Sequence, residues 1–179
     1  MNFVVIVGIV IAIIGIILII LVNQYNRFQW IKIKVEKGET NLVNALTKKY
    51  NILIRYLEFL KNNEVSIDEN EFEEYKLLNL KVPIDKLNNK VDTLNNIISG
   101  YMDSNEKLLK NETIININKE LLEANINING GKKYYNDNVE LYNHLCHAFP
   151  SNIIGKTFKY KEKEFLDTEV KEELKILDE

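Results

Sequence analysis

The chain has 179 residues, 46% of them hydrophobic, with 23 basic and 26 acidic side chains and a net charge of −3. A single cysteine excludes an intrachain disulfide framework and a Cys₄ zinc site, and two prolines exclude a proline-rich or collagen-like chain. The near-balanced charge gives no global attraction to nucleic acid. Phe3 to Val22 is a run of 20 residues without a charge, and every Lys, Arg, Asp and Glu follows it. A helix of that length covers roughly 30 Å, the thickness of a bilayer's hydrocarbon core. Residues 3–22 are therefore expected to contact lipid.

No basic segment precedes the run, and no A-x-A-like cleavage site follows in Leu21-Val22-Asn23-Gln24-Tyr25. The expectation is a retained anchor over residues 1–24 rather than a cleaved signal. Arg27, Lys32, Lys34 and Lys37 come next, and the positive-inside bias places the N-terminus outside and the rest of the chain in the cytoplasm. Tyr25, Phe28 and Trp30 supply interfacial aromatics on that side. Ile31, Val35, Gly38, Leu42, Leu46, Tyr50, Leu53, Leu57 and Leu60 then recur every three or four residues, predicting one amphipathic helix continuous with the anchor. Asp68 to Glu74 is acidic and suits the first turn of a helix.

Pro83 sets a boundary compatible with a helix start. Ile84, Leu87, Val91, Leu94, Ile98 and Tyr101 follow with bundle-like 3-4-3-4-3 spacing, and Gly100 to Asn105 reads as the next turn. The last helix carries Ile114, Ile117, Leu121, Ala124, Ile128, Gly131, Tyr135, Val139, Tyr142, Cys146 and Phe149. Asn125 to Gly131 looks locally like a loop, since Asn and Gly are poor helix formers. The apolar register crosses it without a phase shift, which predicts a continuous helix with Gly131 at a close helix–helix contact. Pro150 disfavours helix at Phe149 and ends the element there.

Two stretches resemble the LemA family of bacterial membrane-anchored proteins. One is Lys132-Lys133-Tyr134-Tyr135-Asn136, then Tyr142-Asn143, then Phe149-Pro150-Ser151-Asn152-Ile153-Ile154-Gly155. The other is Tyr25-Asn26-Arg27 with Val35-Glu36, followed by Leu46-Thr47-Lys48-Lys49-Tyr50. Departures are Gly38-Glu39, Leu53-Ile54-Arg55-Tyr56 and Asn129-Gly130-Gly131, the last where Ala-x-Ala is typical. The resemblance implies an all-α protein: an N-terminal transmembrane helix followed by an antiparallel helical bundle with long helices. It implies no established catalytic activity and no cofactor. The expected organisation is an anchor (1–24), a bundle (25–155) and a tail (156–179) that packs on the bundle or is partly disordered. Tyr25, Asn26, Tyr135, Asn136, Tyr142, Asn143, Phe149, Pro150, Ser151 and Asn152 are the signature positions, structural or partner-binding. Asn136 and Asn143 are placed to bond across helices or to a returning tail. Ile153, Ile154, Phe158 and Phe165 are expected to anchor that tail.

Candidate chemistry is sparse. Phosphate-loop, G-x-S-x-G, H-E-x-x-H and paired CxxC motifs are all missing. His144 and His147 stand at i, i+3 around Cys146, two or three ligands without a second cluster. Glu120 and Glu123 lack the Glu-x-x-His partners of a diiron bundle. Lys156, Lys159, Lys161 and Lys163 form a basic tail interleaved with Glu162 and Glu164. It either grazes anionic headgroups or is held about 50 Å or more away, depending on how the first helix projects. The expected function is a non-enzymatic interaction or scaffolding module at the bacterial cell membrane with a protein partner. The alternatives are a metal-dependent enzyme using His144 and His147, and a lipid-binding membrane-remodelling protein.

Overall fold

The computed structural model describes residues 2–76 and 82–166. The regular elements among them are all helical. They are α1 (Phe3–Asn62), α2 (Glu69–Lys76), α3 (Ile84–Asp103), a 3₁₀ turn (Glu106–Lys110), α4 (Glu112–His147) and α5 (Ser151–Thr157). Of the expected tail, 167–179 lie outside the described residues. The chain groups into two compact units, one joining the chain up to Gly38 with Tyr134–Leu166, the other formed by Glu39–Lys133.

In the first unit, α1 supplies Phe28, Ile31 and Val35, α4 supplies Tyr135, Val139, Tyr142 and Leu145, and α5 adds Ile154 to one buried cluster. The spacing of three and four on both long helices puts these side chains on facing stripes. Phe28 meets Tyr142 edge to face at 5.4 Å, while ten residues later Gly38 faces Tyr135. Numbers that rise on α1 fall on α4, so the pair is antiparallel. The apolar run at the start of α1 is exposed and is long and apolar enough to cross a membrane.

The second unit repeats this order. Leu42 packs on Gly131, and Arg55 pairs with Glu120, again antiparallel. Leu42, Leu46, Leu53, Leu57 and Leu60 are essentially inaccessible, as are Leu87, Val91 and Leu94 of α3 and Ile114 of α4. Each such side chain contributes about 1.5–3 kcal/mol relative to exposure. α2 is capped by Asp68, whose Oδ1 accepts the Asn70 N–H at 2.8 Å, and α4 by Asn111, whose Oδ1 accepts the Thr113 N–H at 2.9 Å.

α4 runs unbroken through Asn125–Gly131, as the register predicts: Gly131 is the residue that lets α1 approach, with Leu42 Cδ1 3.4 Å from where a Cβ would stand. Two boundaries differ from expectation. The helix over 84–103 does not stop at Gly100; it continues to Asp103, with Met102 buried. Ser104 and Asn105, just past its end, donate to the carbonyls of Gly100 and Tyr101, two of the last-turn acceptors that lack an intrahelical partner. α4 ends at His147, two residues before Phe149, and the residues after Pro150 form the additional helix α5.

Candidate partner-binding groove

α5 ends at Thr157, the backbone turns through Lys159 (φ 55°), and residues 160–166 leave helical geometry and run back along α4. Two asparagines of α4 hold this strap. Asn143 Nδ2 donates to the Lys163 carbonyl at 2.8 Å, and its Oδ1 accepts the Lys163 N–H at 2.9 Å. Asn136 does the same to Leu166, donating at 2.7 Å and accepting at 2.9 Å. The spacing follows from geometry. Seven residues of helix rise about 10.5 Å, and three residues of extended chain cover about 10 Å. Asparagines two turns apart therefore meet backbone groups three residues apart. Because α4 residue numbers fall as strap numbers rise, the strap is antiparallel to α4.

Aromatic residues close the other side. Tyr160, the first strap residue, stacks on Phe158 at 5.9 Å and lies 4.9 Å from Phe28. Its hydroxyl accepts from Gln29 Nε2 at 2.6 Å, and Lys32 Nζ sits 5.9 Å over its ring. Phe158 touches Tyr25 at 5.1 Å. Tyr135 Oη donates to the Glu164 carbonyl at 3.4 Å. Burial, aided by the nearby Cys146, Tyr160 and Glu36, pushes the Tyr142 phenol up to about 12. Burial, then the Glu162 carboxylate, raises the Cys146 thiol, which makes it a sluggish nucleophile.

The signature residues divide by environment. Tyr135, Tyr142 and Ser151 are buried; Tyr25, Asn136, Asn143, Pro150 and Asn152 are half-buried; Asn26 and Phe149 are exposed. Ser151 Oγ donates to the Ala148 carbonyl at 2.8 Å, and Asn152 Oδ1 is buried without a described partner. Of the four expected tail anchors only Ile154 is buried; Ile153, Phe158 and Phe165 are each at least 44% exposed. The tail is pinned instead by the asparagine clamps and Tyr160. Sequence reasoning missed Tyr160 and Gln29: Tyr160 stands isolated among lysines, and nothing around Gln29 marks it. His144 is exposed, His147 Nε2 lies 2.6 Å from Glu162 Oε1, and no group of three His, Cys, Asp or Glu suited to a metal occurs among the described residues.

A family model described as LemA family matches residues 77–176, more than half of the chain. The match takes in α3, α4, α5 and the strap, whereas α1 precedes it. No curated protein and no solved structure matches the chain.

Proposed function

The chain belongs to the LemA family, and from that premise we propose that it is a single-pass, membrane-anchored, non-enzymatic module that holds a protein partner at the bacterial cell membrane. The anchor is residues 3–22, with the N-terminus outside and the helical domain in the cytoplasm, a direction supported by Arg27, Lys32, Lys34 and Lys37. The observation that carries the interaction role is the double clamp of Asn136 and Asn143 on the strap. Side-chain amides that read backbone N–H and C=O hold an extended segment whatever its side chains are, the same exchange by which strand addition captures peptides. Tyr142 and Cys146, both shifted by burial, serve packing in this role rather than proton transfer or nucleophilic attack.

The test has two parts. An Asn136→Ala/Asn143→Ala variant loses two backbone bonds at each position, each pair worth about 1–3 kcal/mol. Hydrogen exchange at the Lys163 and Leu166 amides is expected to accelerate by about tenfold or more, while amides of α3 stay protected. Crosslinking in native membranes, followed by purification, is then expected to recover a partner whose yield differs between wild type and variant. Recovery of the same proteins with an unrelated membrane-anchored helical bundle would remove the scaffolding role.

A further inference from the structure

The second unit contains a polar cavity of about 410 Å³. Its walls come from α1, α3 and α4 and include Lys49, Asp92 and Lys132, with asparagines making most of the remainder. Both lysines are more than nine-tenths buried, Lys49 at 7% and Lys132 at 8% exposure. Lysine is seldom buried this far without a partner.

The two are not equivalent. Lys49 Nζ meets Asp92 Oδ1 at 3.1 Å, and Asp92 Oδ2 accepts from Asn88 Nδ2 at 2.8 Å. Both carboxylate oxygens are thus engaged. Lys132 makes no hydrogen bond or ion pair with any described residue, so the excess positive charge of the cavity rests on it. The adjacent Lys133 is exposed. A lysine buried this far without an ion-pair partner, beside side-chain amides that can donate, suits an anionic acceptor. Each asparagine also offers an acceptor, which suits hydroxyl groups.

We propose that this cavity binds a small oxyanion, its phosphate or carboxylate on Lys132 and a hydroxyl-bearing body against the amides of Asn95 and Asn129. The volume lies at the lower end of small-molecule sites and suits a metabolite-sized ligand.

The full-length protein in detergent is titrated calorimetrically with glycerol 3-phosphate and, separately, with glycerate, which carry a similar body on a phosphate and on a carboxylate. Inorganic phosphate and matched sodium chloride are run alongside. Saturable binding of either polyol anion, tighter than inorganic phosphate, is expected, and the better of the two identifies the head group. Lys132→Met should weaken it by roughly tenfold or more, and Lys133→Met should leave it unchanged. Binding of neither anion by the wild type overturns the proposal without recourse to any variant. So does an affinity that survives Lys132→Met, or one no better than that for inorganic phosphate. If Lys132→Met fails to fold, Asn129→Ala takes its place, and undiminished binding in that variant counts against the site in the same way.

Discussion

Glu64 and Lys159 hold left-handed backbone, φ 62° and 55°, just past the ends of α1 and α5. At the first, the Val65 N–H reaches back to the Leu60 carbonyl and the Glu64 N–H to that of Lys61. At the second, Tyr160 bonds to Gly155 and Lys159 to Lys156. Both are Schellman closures with a charged residue where glycine is usual, each followed by a residue that packs inward, Val65 and Tyr160. A side chain in that conformation costs about 1–2 kcal/mol, partly offset because glycine loses more entropy on folding. Glu64→Gly and Lys159→Gly are therefore each expected to stabilise the protein by about 0.5–1 kcal/mol, measured as a rise in the urea midpoint at constant slope. A lower midpoint for either would show that the side chain contributes more than the backbone strain removes. These caps were illegible in the sequence for a simple reason: the signal for a left-handed cap is glycine, and neither position has it.

At the scale of elements, periodicity told more than composition. Asn125–Gly131 is written in poor helix formers, yet the stripe through Ala124, Ile128 and Tyr135 buries the same face on both sides of it, and burial outweighs propensity. The end of α3 was misplaced because side-chain bonds from Ser104 and Asn105 carry the helix past Gly100, a local effect without periodic signature. The strap was only half legible. Asn136 and Asn143 were identifiable on α4, but what they grip is backbone, which leaves no pattern in the strap's own residues. The glycines separate two roles in a testable way. A Cβ at Gly130 meets nothing within 4 Å, so Gly130→Ala should stabilise by about 0.5–1 kcal/mol through helix propensity alone. At Gly38 it would stand 3.2 Å from Tyr134 Cδ1 and 3.3 Å from Tyr135 Cα. The second neighbour is backbone and cannot yield without separating α1 from α4. Overpacking of ~1–3 kcal/mol, less the propensity gain, leaves Gly38→Ala destabilised by about 1 kcal/mol. Urea unfolding of the two variants should give shifts of opposite sign; a stabilised Gly38→Ala would refute the close contact.

At the scale of the whole molecule, the antiparallel return of α4 decides where the basic tail lies. The sequence left open whether Lys156, Lys159 and Lys161 graze headgroups or stand far from them. Phe158 lies 5.1 Å from Tyr25, three residues beyond the apolar run, so the tail is brought back to the end of that run. Lys156, Lys159 and Lys161 are exposed there, as is Arg27 on α1. With residues 3–22 in a bilayer, these cations are expected near the headgroup region on that side. Each lysine close to an anionic leaflet contributes about 1 kcal/mol at low ionic strength, and the attraction decays within a Debye length of about 10 Å at 0.1 M salt. Glu162 and Glu164 are exposed in the same stretch and reduce the sum, so the net effect should be smaller than three independent lysines would give. The full chain reconstituted in nanodiscs allows the comparison. Hydrogen exchange over residues 156–163 is expected to slow when neutral lipid is replaced by anionic lipid, and high salt should erase the difference. A Lys156→Gln/Lys159→Gln/Lys161→Gln variant should show the same exchange in both lipids while its strap amides at Lys163 and Leu166 remain protected. Equal exchange for the wild type in neutral and anionic discs would mean that the tail sits beside the apolar run for packing alone.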